Sequence, residues 1–580
     1  MHIYLHITNI TTKPNDMDES LHESQHEPAT VTLKGHNCYN CVYRHIMDCW
    51  CKFRERLAAR NQPAELDDDL ETLEQYTQRW RSVRIIYFTM FLMALGFSII
   101  LTGIWPFLSE LDPSAGKEFM GLIVAANPLG QMIFSPIFGR WGNKLGTIRL
   151  PLLLSLALFS VASALYSSLE LVNNVKYWML ISRFLIGVSS ANIALCRSYL
   201  SAATRLNERT HAVSMVSLAQ VLGFIIGPGL QALVTPLGRN GQVWFWGAMH
   251  VNMYTASGWI NVIMSLGNFV MFLPGIFEEH RIAAREIMVM QGGTSERETW
   301  KAIKPNYYSA WTLIVAFFVL VFNFVLLETL GTSLTMDMFA WTNNEALYNM
   351  GIFMTIAAII SLVTFVLIEP LCKLFAERFV LIWGGFSLMV VGRVLYIPWG
   401  PDPPKLAVAY NASSNLSIDD PIYLGCPATQ DWCPELPALT LTQFIIGFAL
   451  TSVGYPIGVT LIQTIFSKVL GPRPQGVWMG IMTSAGCLSR VMGPVFVGSI
   501  YTRLGTYWTF GFTSIMMIIS MIWLLCSNRV LIPPVVEKPP IPMQVIHPKD
   551  KLNDATPNND ESDELLVESK AIRIVPSSQA

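Results

Sequence analysis

Apolar residues along this chain are gathered into long runs, and short polar stretches separate one run from the next. A helix needs about 20 mostly apolar residues to cross the hydrocarbon core of a bilayer, so these runs predict membrane-spanning helices. In the first half of the chain they lie near residues 84–106, 119–139, 149–167, 177–199, 211–236 and 252–277. In the second half they lie near residues 309–331, 346–368, 379–399, 437–462, 476–500 and 506–527. The pattern therefore predicts an all-α membrane protein with twelve transmembrane helices in two six-helix bundles.

The polar stretches set the expected domain boundaries. They give a mostly disordered cytosolic tail at 1–80, a first bundle at 81–277, a cytosolic linker at 278–308, a second bundle at 309–527 with a lumenal loop at 400–436, and a disordered cytosolic tail at 528–580. We expect disorder in the tails because they are polar and hold too few apolar residues to build a core.

Composition supports the membrane assignment. Charged residues make up 14% of the 580 residues, hydrophobic residues make up 52%, and the mean hydropathy is +0.41. A water-soluble core of this size would not bury so much apolar surface. The net charge of -2 gives no basic signal, which argues against nucleic acid as a partner.

Basic residues in the short connections predict the orientation, because lysine and arginine are concentrated on the cytosolic side. The connections after even-numbered helices hold Arg140, Lys144, Arg205, Arg209, Arg281, Arg285, Arg297, Lys301, Lys304, Lys373, Arg378, Lys468 and Arg473. The other connections hold Lys117, Lys176, Arg239, Lys405 and Arg503. This asymmetry predicts that both termini are cytosolic and that residues 400–436 face the lumen.

The predicted lumenal loop carries two further signals. Asn411 and Asn415 begin N-x-[ST] sequences, which are acceptors for N-glycosylation. Cys426 and Cys433 lie in the same polar loop, where an oxidising lumen would favour a disulfide between them. Glycosylation at these asparagines would agree with the orientation that the basic residues predict.

An internal repeat supports two similar halves. Residues 183–187 (RFLIG) in the fourth predicted helix are echoed by residues 443–447 (QFIIG) in the tenth. Gly227-Pro228 in the fifth helix is echoed by Gly493-Pro494 in the eleventh. In both cases the two matching segments lie in equivalent helices, the fourth or the fifth of each half. Repeats of six helices are the plan of major facilitator transporters, whose substrate site lies near the membrane midplane between the halves.

Two motifs resemble the signatures of the major facilitator superfamily. Gly223-x-x-x-Gly227-Pro228 resembles its fifth-helix motif, in which small residues allow close helix packing and the proline allows a bend; ordinary packing alone would also explain it. The connection between helices 2 and 3 resembles the family's G-x-x-x-D-R-x-G-R-K loop and keeps Arg140, Gly142 and Lys144. Gly139 stands where the family has its aspartate, so the usual carboxylate latch is in doubt.

Five stretches also resemble the family of ceroid-lipofuscinosis neuronal protein 7 within that superfamily. They are residues 79–84, 129–139, 197–199, 334–338 and 470–476, and they extend from the first to the eleventh predicted helix. The resemblance implies a lysosomal multipass protein whose transported species is unsettled, with chloride among the candidates. It does not extend to the two tails.

The carboxyl-terminal tail contains a sorting pattern. Glu561, Leu565 and Leu566 fit the acidic dileucine form [DE]-x-x-x-L-[LI], in which a carboxylate and two leucines bind a clathrin adaptor. An accessible cytosolic tail would present this pattern, so it predicts delivery to the lysosome.

Ionisable residues within predicted spans are candidates for transport, because a charge at membrane depth is costly. Arg490 lies deep in predicted helix 11, Arg393 is similarly deep in helix 9, and Arg183 lies nearer the lumenal end of helix 4. Each could instead be a structural arginine bound to backbone carbonyls or extended to the interface. Glu328 in helix 7 is a candidate proton carrier, or an interfacial glutamate that faces water. Three arginines and one acid favour an anionic substrate.

The leading functional hypothesis is a transporter that moves a small solute or anion by alternating access, with protons as a candidate coupling ion. An anion channel on the same fold and a non-transporting scaffold or sensor are the alternatives. No nucleophile and base pair, phosphate loop or cofactor motif indicates an enzyme or a cofactor. Cys38 and Cys41 begin a Cys/His-containing stretch of the first tail, but its spacing selects no metal site, and acylated or free thiols are the preferred interpretation.

Overall fold

The computed structural model describes residues 70–533 apart from 102, 113–116, 240, 245–248, 292–304, 401, 407, 411–421 and 428–429. The first six long helical segments, helices 1 to 6, are Leu73–Leu101, Lys117–Leu145, Arg149–Ser167, Val175–Ala202 with an irregular residue at Ala191, Arg209–Val234 and Thr255–Met271. Helices 7 to 12 are Tyr307–Phe339, Asn343–Leu374, Glu377–Leu395, Leu441–Val469, Gly476–Tyr501 and Thr502–Ser527.

The described residues form ten segments long and apolar enough to cross a membrane. The last of them, Gly476–Ser527, contains both helix 11 and helix 12, and a kink at Gly505, where φ is 79°, lies in the first turn of helix 12. A residue with a side chain would be strained at that angle. Helix 6 is shorter, at 17 residues. When the last segment is divided into helices 11 and 12 and the shorter helix 6 is included, the described residues contain the twelve predicted helices. The all-α membrane fold is therefore confirmed.

Short elements occupy some of the connections. Single helices lie at Ile104–Leu111 after helix 1 and at Ile282–Gln291 after helix 6. Two pairs of antiparallel strands are also present: β1 (Gln242–Trp244) pairs with β2 (Met249–Val251) between helices 5 and 6, and β3 (Val408–Tyr410) pairs with β4 (Ile422–Leu424) between helices 9 and 10. These strands lie in the connections and leave the helical architecture unchanged.

Several helices are longer than their apolar runs. Helix 1 begins at Leu73 rather than near residue 84, and helix 10 ends at Val469 rather than near 462. Hydropathy detects the part of a helix that lies in lipid, whereas backbone hydrogen bonds continue it into the polar region. Helix 8 begins with a capping box between Thr342 and Glu345, a polar start that an apolar run cannot reveal.

A buried ion-pair network explains the early start of helix 1. Arg79 pairs with Glu71 at 2.7 Å and with Glu208 at 2.9 Å, and Arg205 pairs with Glu71 at 2.9 Å. Arg79 and Glu71 are almost fully buried, so each needs the other to offset the loss of hydration. The network ties the start of helix 1 to the connection between helices 4 and 5. A search for apolar runs cannot detect it, because its residues are charged.

Each half has its own apolar core. Helices 1 to 6 bury residues such as Ile86, Leu156 and Ile186, and helices 7 to 12 bury residues such as Leu313, Phe386 and Leu461. On the outside, large apolar side chains such as Ile359 in helix 8 and Ile515 in helix 12 remain exposed. Two bundles with their own cores and apolar outer surfaces fit a membrane environment.

Candidate functional site

A cavity lies between the two halves, with about 950 Å³ of space outside protein atoms that includes its opening to solvent. Its walls come from both bundles, so neither half forms it alone. The lining residues are Met93, Ala94, Phe97, Asn127, Gln131, Ser190, Ile193, Arg197, Ser217, Gln220, Val221, Phe224, Phe317, Val321, Phe365, Tyr455, Val459, Gln463, Thr483, Gly486, Cys487 and Arg490. We call this space the central cavity. It occupies the place where the sequence predicts a substrate site.

Two arginines supply the positive charge of the central cavity. Arg197, near the end of helix 4, donates hydrogen bonds to Gln220 Oε1 at 3.3 Å and to Thr483 Oγ1 at 3.4 Å, so it contacts both halves. Arg490 comes from helix 11, and its Cζ lies 5.9 Å from the ring centroid of Phe224 in helix 5. The two guanidinium groups are close enough to repel each other. An anion between them would offset that repulsion.

The polar groups of the central cavity include unpaired hydrogen-bond donors. Asn127 Nδ2, Gln463 Nε2 and Arg197 Nε are buried and have no hydrogen-bond partner among the described residues. The cavity lining contains no Asp or Glu among those residues. Because a buried unpaired donor is unfavourable, these groups fit a ligand that accepts hydrogen bonds.

Glu328 is the predicted acid, and it lies in helix 7 beside the arginine-lined space. Its carboxylate interacts electrostatically with Arg490 without forming a direct ion pair, and the side chain is exposed. Tyr455 of helix 10 interacts with both Glu328 and Arg490 and stacks on Phe324 with ring centroids 3.9 Å apart. Glu328 is therefore placed where a change in its charge would act on Arg490.

The other two predicted arginines do not line the central cavity. Arg183 is fully buried behind Phe97, with its Cζ 5.5 Å from the ring centroid, and its guanidinium nitrogens have no hydrogen-bond partner among the described residues. Arg393 is fully buried in helix 9, where Nη2 donates to the backbone oxygen of Asn323 and the guanidinium lies over Tyr396. The contact with a carbonyl is the structural alternative that the sequence left open for Arg393.

Close backbone contacts close the gap between the halves on the side that carries residues 70 and 533, which we call the termini side. A Cβ added to Gly139 of helix 2 would lie 2.1 Å from the backbone oxygen of Gly476 in helix 11. One added to Gly480 would lie 2.6 Å from the oxygen of Ser135. Asn143 Oδ1 accepts from Gly476 N at 3.0 Å. We call these contacts the glycine gate, and they explain why an aspartate at position 139 would not fit this conformation.

Polar side chains reinforce the closure beside helix 5. Lys468 of helix 10 pairs with Glu377 at 2.7 Å, and Glu377 also accepts a hydrogen bond from Thr210 of helix 5. His211 contacts Glu369 of helix 8. The contacts of Thr210 and His211 cross from the first half to the second, so the termini side is held together by side chains as well as by the glycine gate.

The remaining motif residues lie in helix contacts near the gate and the cavity. Arg140 and Lys144 are exposed at the end of helix 2, and a Cβ on Gly142 would lie 2.7 Å from Leu195 in helix 4. Gly223 and Gly227 pack helix 5 on helix 1, since an added Cβ would lie 2.5 Å from Phe91 O and 2.6 Å from Ser98 Cβ respectively.

In the second half, a Cβ on Gly493 would lie 3.0 Å from Val325 of helix 7. Helix 5 continues through Pro228, whereas helix 11 changes to a π-helical turn, Val497–Tyr501, soon after Pro494. The two proline positions are thus echoed in sequence but differ in local helix geometry.

Some predicted residues lie outside the central cavity region altogether. Cys426 and Cys433 form a disulfide in the connection between helices 9 and 10, with Cα atoms 6.0 Å apart. The predicted glycosylation and sorting residues lie outside the described residues; they are Asn411, Asn415, Glu561, Leu565 and Leu566.

The sequence did not single out Arg197 as a site residue. Its position near the end of predicted helix 4, at 177–199, resembles that of an interfacial arginine. The signal that could have identified it is a charge inside an apolar run, the same signal that identified Arg183 and Arg490.

Comparisons with known proteins agree on the family. The family model of the Major Facilitator Superfamily matches residues 86–413 and 426–561. Major facilitator superfamily domain-containing protein 8 of Xenopus laevis is 38% identical over 494 residues, which cover 81% of this chain and 96% of that protein. The class E tetracycline resistance protein of Escherichia coli is 23% identical over 476 residues, which cover 81% and 98%.

Solved structures show the same fold. The human organic anion transporter MFSD10 (TETRAN) matches with a TM-score of 0.56 and 17% identity over 77% of this chain and 99% of that one. The proton:xylose symporter XylE matches with a TM-score of 0.55 and 12% identity over 78% and 96%. The matched family model, the similar Xenopus protein and the two helical halves around a shared cavity establish that this chain belongs to the Major Facilitator Superfamily, a family of membrane transporters.

Proposed function

We propose that this protein transports a small anion across the lysosomal membrane by alternating access. The observation that carries the proposal is the lining of the central cavity, which combines two guanidinium groups with unpaired donors and contains no carboxylate among the described residues. A cation would meet repulsion there, and a neutral solute would leave the repulsion between Arg197 and Arg490 in place. An anion satisfies both arginines at once.

The relatives support an anionic substrate and suggest a coupling ion. MFSD10, which shares the fold, is described as an organic anion transporter. XylE is described as a proton symporter. In this chain Glu328 lies near Arg490, so protonation of Glu328 would leave Arg490 without its nearby negative charge and favour an anion beside it. We propose Glu328 as the proton-binding residue on this basis.

The closed termini side supports one step of the transport cycle. The glycine gate holds helices 2 and 11 together on the termini side, and rocking of the two bundles would separate Gly139 from Gly476 and admit the substrate to that side. The sequence's basic residues assign the termini side to the cytosol, so this conformation would face the lumen.

Uptake by purified protein in liposomes tests the function. We expect saturable uptake of small anions, stimulated by an inward proton gradient, and no comparable uptake of matched neutral or cationic solutes. Liposomes without protein and liposomes with an Arg197→Gln, Arg490→Gln double variant are the controls. Unitary currents in a planar bilayer would favour an anion channel instead, and protein that moves no solute in either assay would favour a scaffold or sensor.

A separate experiment tests location and orientation. We expect peptide N-glycosidase to reduce the apparent mass of the cellular protein, and we expect an Asn411→Gln, Asn415→Gln variant to lack that change.

Replacing Leu565 and Leu566 with alanine should move the protein from lysosomes to the cell surface, because the leucines of the adaptor-binding pattern are lost. The same double substitution at Val535 and Val536, which lie in the same tail outside the pattern, is the control. Unchanged lysosomal delivery of the Leu565, Leu566 variant would contradict sorting by this dileucine.

A further inference from the structure

A second cavity lies on the termini side, beside the glycine gate, with about 870 Å³ of space outside protein atoms that includes its opening to solvent. We call it the junction pocket. It is formed by the turn from helix 2 to helix 3, the end of helix 4, the segment after helix 6, and the connection between helices 10 and 11. The first three segments belong to the first half and the last belongs to the second half. The junction pocket is therefore complete only while the halves are together on this side.

The charges of the junction pocket favour an anion. Arg473 comes from the second half, its Nε is buried without a hydrogen-bond partner, and no described acidic side chain pairs with it. Arg281 comes from the first half and donates from Nη2 to the backbone oxygen of Gly146. The acid in the lining, Glu279, already accepts from the backbone nitrogens of Ile148 and Arg149 at 2.9 and 3.0 Å.

We propose that the junction pocket binds a phosphate-bearing anion between Arg473 and Arg281. Guanidinium groups match phosphate oxygens in geometry and charge, and two of them, one from each half, suit a group with more than one negative charge. The hydroxyl groups of Thr147 and Ser198 line the same space and can donate to further oxygens. The phosphate could belong to a lipid headgroup or to a soluble molecule, and both have the same chemistry at this pocket.

Binding at the junction pocket stabilises the closed termini side. Arg473 and Pro474 follow helix 10, and Asn143 at the end of helix 2 donates from Nδ2 to Pro474 O at 3.2 Å, so the pocket wall is continuous with the glycine gate. Rocking of the halves moves Arg473 away from Arg281 and divides the site. A ligand that binds only the closed form shifts the equilibrium towards it, and the junction pocket thereby acts as an inhibitory site for transport.

Thermal unfolding of the full-length protein tests the site with two probes. Inorganic pyrophosphate is added to protein in phosphatidylcholine nanodiscs, and separate nanodiscs contain phosphatidylinositol 4-phosphate without pyrophosphate. We expect at least one probe to raise the unfolding midpoint. A shift of the unfolding midpoint with pyrophosphate alone would indicate a soluble ligand. A shift with the lipid alone would indicate a lipid headgroup. We expect Arg473→Gln and Arg281→Gln each to weaken binding of the effective probe about tenfold, the loss of one charge-assisted contact.

Three controls make the result specific. Arg503→Gln removes an exposed arginine outside the junction pocket and should leave the shift unchanged. Arg490→Gln removes a central-cavity arginine and should also leave it unchanged, which separates this proposal from the proposed transport of an anion. The midpoint without ligand shows whether each variant is folded, and Arg281→Gln provides a second test if Arg473→Gln is not. The proposal is overturned if neither probe shifts the wild type, or if the folded pocket variants bind as the wild type does.

Discussion

Replacing Arg490 with glutamine is expected to reduce anion uptake about 10- to 100-fold, the effect of losing a charge-assisted contact worth about 1.5–3 kcal/mol. Arg490 lines the central cavity and lies on the opposite half from Arg197, so in the proposed function an anion held between the two halves would contact it. Glutamine keeps hydrogen-bonding capacity and similar length but removes the charge. The measurement is initial uptake rate by equal amounts of purified protein in liposomes.

The comparison with Arg393→Gln separates transport from folding. Arg393 bonds a backbone oxygen outside the central cavity, so its loss should lower the unfolding midpoint while uptake per folded molecule stays near the wild-type value. Arg490 is partly exposed to the cavity, and its replacement should leave the unfolding midpoint nearly unchanged. Wild-type uptake by a correctly inserted Arg490→Gln protein would show that the anion binds elsewhere.

The fold was predictable because the membrane simplifies the pattern that the chain must follow. In lipid every spanning segment must satisfy its backbone polar groups internally, so an apolar run of sufficient length implies a helix. The kink at Gly505 falls where the sequence places the start of helix 12 near 506. The start of helix 1 was not predictable in this way, because Arg79 and Glu71 are polar and are buried through pairing.

The candidate site was predictable only in part. Charge at membrane depth identified Arg490, but the same signal identified Arg393 and Arg183, whose different surroundings depend on how the helices pack. Arg197 was missed because depth along a helix does not reveal which face meets the other half. The unpaired donors of Asn127 and Gln463 were also missed, since uncharged amides are common in helices and become informative only once their partners are known.

Gly139 departs from the superfamily motif, and the packing around it gives a physical reason for the departure. The sequence could show that the superfamily's aspartate is missing, but only the packing shows a backbone of the other half in its place. In this chain a direct contact between helices 2 and 11 occupies the position of the carboxylate. The glycine gate is therefore a candidate for what sets the balance between the two conformations.

Replacing Gly139 with alanine is expected to open the termini side. The new Cβ would lie 2.1 Å from the backbone oxygen of Gly476, which no side-chain rotation can relieve, so the two helices must separate. Overpacking of this kind costs about 1–3 kcal/mol, roughly a fivefold to hundredfold shift in the equilibrium. Cys487 lines the central cavity and reports the opening. A membrane-impermeant maleimide added on the termini side should label Cys487 faster in the variant, as measured by mass spectrometry.

Gly121→Ala is the matched control, because it adds the same methyl group to helix 2 at a position where the new Cβ would meet no neighbouring atom of the described residues within 4 Å. It should leave the labelling of Cys487 unchanged. Gly480→Ala, whose Cβ would lie 2.6 Å from Ser135 O, should act in the same direction as Gly139→Ala because both press on the same contact. Equal labelling rates for Gly139→Ala, Gly121→Ala and the wild type would mean that the glycine gate does not hold the halves together. In that case the contacts of Lys468, Glu377 and Thr210 would have to maintain the closure.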